Sequence, residues 1–331
     1  MDNQDDKTKG GLVSLPKTVT DRSVPIYLEA VPPLLREGAA GIDAVLEKID
    51  AIHGAVELDG VNIPEIRQES SKSKKGERLK PFESRLEPRE LAKRIQEDFG
   101  LDCIINRVVV HLARERQAEW FRQAWEEYGI RRFVLVGGEK SGECYPGPSV
   151  PESNELVHRV IDDCELRVGN ICIPTRAQEA QRMARKLATG ADFFTTQIVY
   201  HAREFTRLLD DLQASALPSR APPTLLLTLC PVQSQRNIRF LHWLGVSLSA
   251  ELEAWLARDP ERVAERSLQH LERMWIEIHR HWRAHHDRFP IGISLAPIGR
   301  IPPMTTVQLA RNLISMTDRA MIRRAGTERT L

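Results

Sequence analysis

The sequence predicts an α/β protein of the (β/α)8 TIM-barrel type, one domain with a long helical insertion before its last strand. Three observations predict it. Short apolar runs rich in Val, Ile and Leu alternate with longer amphipathic stretches, as in a parallel sheet buried on both faces. Eight such pairs fit in the 331 residues, which is the arithmetic of a barrel. A doubly wound open sheet is the alternative, but the first run is followed by EAVPPLLREG, with no Gly-rich dinucleotide fingerprint.

In chain order, residues 1–22 are polar and aperiodic and are expected to form a flexible tail, leaving 23–331 as the barrel. The strands are expected at Val24–Val31, Gly54–Gly60, Cys103–Val110, Arg132–Gly138, Arg167–Pro174, Phe193–Tyr200, Thr224–Cys230 and Ile291–Pro297. Helical periodicity fills the intervals at Leu34–Ile49, Pro88–Phe99, Glu115–Tyr128, Glu152–Asp163, Ala177–Thr189, Ala202–Gln213 and Gln235–Leu244, and closes the chain at Met304–Arg319. Pro88 at the start and Gly100 just past Phe99 are helix start and stop signals. The insertion, Ser249–His286, is long enough for two helices with a break at Asp259-Pro260. The charged connection Asn62–Glu87, containing SSKSKKGERLK, reads either as a solvated loop or as a flap over the barrel mouth.

Lys and Arg number 47 against 46 Asp and Glu, a net charge of +1. That balance argues against a dedicated nucleic-acid binder. No apolar run approaches the ~20 residues of a membrane span, and the acidic, polar start MDNQDDKTKG does not read as a signal peptide. The five scattered cysteines form no C-x-x-C pair and read as reduced thiols of a cytoplasmic protein. The histidines His279, His281, His285 and His286 include an i, i+4 pair, but no neighbouring carboxylate or Cys completes a ligand set, so no metal is expected.

Strand ends face the substrate in a barrel, so they supply the site candidates. Glu29 ends the first strand among apolar neighbours, where a carboxylate is costly to bury without a role or a partner. Gly137 and Gly138 end the fourth strand, and Gly138 would let a ligand approach the backbone closely. Glu139 follows them, and two carboxylates at one mouth can divide acid and charge-stabilising work. Thr175 and Arg176 follow the fifth strand, and Arg suits a carboxylate or phosphate. Gln197 in the sixth can donate and accept at once, as a heterocycle edge requires, although a sheet-end hydrogen bond is the plainer reading. Lys186, in the helix that follows the fifth strand, reads on its own as a surface residue.

In order, LEAVPP, DGVNIPEI, VGGEK, RMARKLATGADF, TTQ and CPV resemble the methylenetetrahydrofolate reductase family over about residues 24–300. The most specific piece is K-x-x-x-G-A-D-F-x-x-T-Q, Lys186 to Gln197. The resemblance implies a barrel that interconverts 5,10-methylenetetrahydrofolate and 5-methyltetrahydrofolate with NADH or NADPH, in one-carbon and methionine metabolism. It places Glu29 at the general acid, Gln197 at the residue that pairs with the pterin, and Glu139 where flavin-binding members carry Asp. Asn62, Arg176 and Arg300 join Gln197 on the substrate side, and Gly138, Thr175 and Lys186 fall on the cofactor side. The chain departs from the family at CIPTRAQEA, VQSQRN and ISLAPI, where most flavin-gripping side chains are replaced. It therefore looks like a flavin-free branch, with the FAD question open. The partner implied is a folate, with no nucleic acid and no membrane. Two alternatives stand beside this reading: a folate-binding or one-carbon carrier protein without redox activity, and the reverse oxidation of methyltetrahydrofolate in a demethylation pathway.

Overall fold

A computed structural model describes residues 24–138, 144–218 and 221–328, with side chains described through residue 318. The expected tail and Glu139 lie outside the described residues. Strands β1 (Ile26–Glu29), β2 (Gly60–Pro64), β3 (Cys103–Val108), β4 (Arg132–Val136), β5 (Arg167–Cys172), β6 (Phe193–Thr196), β7 (Thr224–Leu229) and β8 (Ile291–Leu295) are all parallel and close into a barrel in sequence order. Helices α1 (Gly38–Val56), α2 (Pro88–Phe99), α3 (Arg114–Glu126), α4 (Val150–Val160), α5 (Glu179–Ala188) and α6 (Ala202–Ala214) follow the first six strands. After β7 come α7 (Gln235–Trp243), α8 (Ala250–Ala257) and the long α9 (Val263–His285), and α10 (Pro303–Glu328) follows β8. The expected barrel and its helical insertion are thus observed, with the break between α8 and α9 at the short turn Pro260–Arg262.

One expected strand is corrected. Gly54–Gly60 is the end of α1 and a connection, and β2 begins where that run ends. The stretch GAVELDG has the apolar content of a strand. However, Ile49, Ile52 and Val56 continue the buried helical stripe begun by Leu46, and that longer periodicity prevails. Asn62 therefore lies within a strand rather than after one. The other strands stop short of their expected ends, although single backbone bonds continue past several of them, such as Ala30 N–H to the Asn62 carbonyl and Val109 N–H to the Val136 carbonyl.

The main core lies between strands and helices, with Leu28, Ile105, Leu227 and Ile293 against Ile49, Phe205, Trp275 and Leu313. Inside the barrel, Tyr27, Ile104, Val134, Phe193 and Leu226 form a second, smaller core. Glycines face the large residues there: a Cβ on Gly169 would sit 2.4 Å from the Phe193 ring, and one on Gly60 would sit 2.9 Å from the Tyr27 ring. Large and small residues thus interdigitate across neighbouring strands. A third cluster, including Tyr200, Cys230, Val232, Leu241 and Leu256, roofs the β6–β8 side of the mouth with α7 and α8.

The connection from β2 to α2 crosses this mouth. Its Lys72 N–H donates to the Trp243 carbonyl (3.0 Å), and its Glu77 N–H to that of Arg239 (3.1 Å). Arg78 stacks over the Trp243 ring. On its return, Leu35 N–H donates to the Ser84 carbonyl, and the Arg85 guanidinium donates to the Pro32 carbonyl. The flap reading is the observed one: the segment is strapped over the β8–β1 side of the mouth, from the β1–α1 connection to α7.

Candidate active site

Barrel register decides which strand residues face inward. Tyr27 lies in the interior core, so Glu29, two residues on, shares its inward side. Glu29 pairs in register with Asn62, which places the carboxyl and the amide side by side at the C-terminal ends of β1 and β2. Among the described residues no hydrogen bond reaches the Glu29 carboxyl. Burial pushes its pKa from 4.5 up to about 7, opposed by the positive charge of Lys48 on α1. A carboxyl in that range holds its proton for about half of the time near neutrality, which suits a general acid. The Lys48 ammonium is itself pulled below its ordinary range, mainly by burial, with Cys230 and Glu29 acting the other way.

Asn62 is fully enclosed and its Oδ1 has no partner among the described residues. Four other inward-facing residues, Tyr27, Asn106, Thr195 and Ser294, share this condition, each with a buried side-chain oxygen that no described residue satisfies. Buried polar atoms ordinarily have partners. A cluster of unsatisfied ones inside a barrel marks room for water or for a heteroatom-rich ligand.

The remaining candidates are spread around the rim. Gln197 is half-buried just past β6; its amide donates to the Leu244 carbonyl at 3.1 Å, and its Oε1 accepts from the Ile198 N–H at 3.0 Å. It thus tethers the end of α7 while keeping a second amide hydrogen. Thr175 is exposed, and Arg176 beside it lies 3.5 Å from the buried carboxylate of Glu179. Glu179 in turn accepts from the Ile173 N–H, so the β5 turn is internally braced. Arg300 is exposed, and its carbonyl accepts from the Gln233 amide. Lys186 lies in the helix–sheet layer, donating to the Ile171 carbonyl at 2.7 Å, and burial lowers its pKa. Gly138 faces the Tyr145 ring so closely that a Cβ there would lie 2.3 Å from it. The structure therefore brings Glu29 and Asn62 together, sets Gln197 on the far rim, and places Lys186 behind the sheet.

Lys48, Asn106 and Tyr145 went unmarked in the sequence. Lys48 had a signal, because it shares one face of α1 with Gly41, Val45 and Ile52, where a charge needs a reason. Tyr145 had none, since its role depends on its ring packing against Gly138, seven residues earlier in the chain.

No protein-family model matches the chain, and no curated protein matches it. Among solved structures, it is similar to an uncharacterized protein from Clostridium thermocellum described as binding two copies of 5-methyl-5,6,7,8-tetrahydrofolic acid. That likeness has a TM-score of 0.71 at 18% identity and covers 88% of this chain and 96% of that one. N-(5'-phosphoribosyl)anthranilate isomerase from Pyrococcus furiosus aligns with a TM-score of 0.45 at 11% identity, over 89% of this chain and 99% of that one. At these identities the likeness is one of fold. None of the described helices is long and apolar enough to cross a membrane.

Proposed function

We propose that the protein binds a reduced folate at the C-terminal mouth of the barrel and reduces 5,10-methylenetetrahydrofolate to 5-methyltetrahydrofolate, with NADH or NADPH as hydride donor. The observation that carries this reading is Glu29, an inward-facing acid held near neutrality beside the unpaired Asn62 oxygen. The fold of a solved protein described as binding 5-methyltetrahydrofolate supports it.

In this reading Glu29 protonates N10 of the substrate, the N10–methylene bond breaks, and the ring opens to an N5 iminium cation. Hydride from the nicotinamide then adds to the methylene carbon and leaves a methyl group on N5, with NAD(P)+ as the other product. The Glu29 carboxylate left behind is reprotonated from solvent at the mouth. Glu139 would supply negative charge to the cation. Asn62 and the free amide hydrogen of Gln197 would orient the pterin. The glutamate tail of the folate would run toward the strap, where Lys74 has no partner among the described residues, and toward exposed Arg300.

A flavin fits the described residues poorly. The backbone at Gly138 is covered by Tyr145, and Arg176 is engaged by Glu179. The proposed reaction therefore passes hydride directly, and Thr175 and the Gly138–Tyr145 contact are proposed to shape the nicotinamide side of the site, with Lys186 bracing β5 from behind the sheet through the Ile171 carbonyl.

The test is oxidation of NAD(P)H dependent on methylenetetrahydrofolate, with deuterium from labelled nicotinamide recovered in the methyl group. Initial rates should show a ternary complex. Ping-pong kinetics with a stoichiometric bound flavin would overturn the direct route. Folate binding without any turnover in either direction would leave a binding or carrier protein instead.

A further inference from the structure

A separate cluster of titratable groups lies at the opposite end of the barrel. Asp210 sits near the end of α6. His281, His285 and His286 lie where α9 ends and turns into β8. The Asp210 Oδ1 is 2.9 Å from His281 Nε2 and 2.6 Å from His286 Nε2, and the three ligand atoms lie within 4.8 Å of one another. Histidines alone in the sequence lacked a carboxylate; the fold supplies one from 71 residues upstream of His281.

We propose that Asp210, His281 and His286 form a binding site for a divalent transition ion of the zinc type, with the remaining position open to water. The ligand set is the first reason, because two imidazoles and a carboxylate suit zinc and its neighbours and do not suit magnesium or calcium. The second is their origin: Asp210 and His281 come from the packed helices α6 and α9, and His286 is the residue immediately after α9, so no long loop must be ordered to gather them. The third is access. Side-chain exposure falls from 54% at Asp210 through 29% at His281 to 5% at His286, which grades the site from solvent to interior. Two of the neighbouring arginines are directed elsewhere, Arg283 over the Trp282 ring and Arg288 over that of Phe289. His285 is exposed and flanks the open side, its ring 5.1 Å from that of His281.

Binding replaces the two imidazole–carboxylate hydrogen bonds by metal bonds of about 2.0–2.2 Å. Each imidazole then presents a bare Nε2 and carries its proton on Nδ1. For His286, Nδ1 is buried without a partner, a cost that moderates affinity. The N-terminal face of a barrel contributes stability rather than chemistry. The ion would therefore act as a clip between α6 and the start of β8, stabilising the fold by mass action. This inference does not rest on the proposed reaction.

The experiment uses the full chain, stripped with a chelator and then titrated with zinc chloride by calorimetry, with a melting curve at each ratio. Expected are about one ion per chain, a higher Tm, and the visible bands of tetrahedral cobalt(II) when cobalt replaces zinc. Asp210→Asn and His281→Gln should each weaken zinc binding by at least roughly tenfold, leaving folate affinity unchanged. If zinc produces neither heat nor a Tm shift, or if both variants bind it as the wild type does, the cluster is only a hydrogen-bonded clasp and the proposal fails.

Discussion

Two aspartates at the N-terminal end of the barrel and Glu29 at the C-terminal end use their carboxylates in opposite ways. At the N-terminal end, Asp59 precedes β2 and clips the start of β1, its Oδ2 accepting from the Ile26 N–H at 2.7 Å. Asp192 precedes β6 and does the same to β5, accepting from the Val168 N–H at 2.8 Å. In both cases the backbone N–H of the same aspartate donates back to the carbonyl of the residue it clips. Arg132 holds Asp102 at 2.5 Å on the same face. At the C-terminal end, Glu29 has no hydrogen-bond partner among the described residues, and burial raises its pKa to about 7. Asp59 and Asp192 thus close the barrel, as Glu65 does near the mouth by accepting from the Val108 N–H, whereas Glu29 stays available for proton transfer. The difference lies in whether a strand N–H meets the carboxylate.

Replacing Glu29 by Gln tests the chemical end and should give the largest effect. Loss of a general acid typically lowers the rate by ~10²–10⁴-fold, with folate binding retained. Stability should move the other way. The folded pKa lies above the ordinary 4.5, so the folded state holds this proton more tightly than the unfolded chain does. That contribution is fully present below about pH 4.5 and is lost as pH rises through about 7. Glu29→Gln should therefore melt higher than the wild type at pH 8, by up to roughly 3 kcal/mol from the size of the shift, and the two should converge toward pH 4. A variant that keeps half of the wild-type kcat, or that melts lower at pH 8, would make Glu29 a structural residue and erase the contrast between the two ends.

Asp192→Ala tests the structural end. It leaves the Val168 N–H without its side-chain acceptor, which costs about 1–3 kcal/mol. Chemical denaturation should show that loss, while folate affinity per folded molecule stays constant. A selective loss of folate binding would show that the N-terminal clip reaches the mouth after all.

Gln197 lies between the two types, because it is paired like a structural residue yet sits on the rim. Gln197→Glu places a carboxylate oxygen against the Leu244 carbonyl, which the amide now approaches at 3.1 Å. Folate binding should weaken by roughly 1–3 kcal/mol, more than nicotinamide binding does. Protease cleavage near α7 should rise, since the tether is lost. Faster cleavage with unchanged folate affinity would reduce Gln197 to a tether and remove it from the pterin assignment.

These contrasts explain what was readable in the sequence. Strand number, the helical insertion and its break followed from periodicity and from Pro260. The inward acid Glu29 followed from a carboxylate in an apolar strand. The piece K-x-x-x-G-A-D-F-x-x-T-Q was readable as a unit, but its parts separate in space. Lys186 and Asp192 both fasten to β5 through Ile171 and Val168, and only Gln197 reaches the rim. A linear pattern does not record which side of a strand a side chain takes once helix and sheet pack together. The segment over the mouth was readable as one of two alternatives, but its anchors were not, because those on α7 are more than 150 residues away. Lys48 was hidden for a related reason: its position on α1 announces partial burial, while its electrostatic partner on β1 depends on the packing.

The smallest effect expected concerns that lysine. Its positive charge lowers the Glu29 pKa against the larger effect of burial. Lys48→Met keeps most of the stem that fills the helix–sheet space and removes only the charge. Without it, Glu29 should hold its proton to higher pH, so the alkaline limb of the pH–rate profile should move upward from about 7. The rate at low pH, where Glu29 is already protonated, should stay near the wild-type value. The charge lost is itself partly desolvated, so the fold should gain rather than lose stability. A limb that moves downward would mean that Lys48 acts on Glu29 through position and not through charge. A limb that disappears would mean that the group titrating in the wild-type profile is another residue, and the search for the acid would return to the mouth.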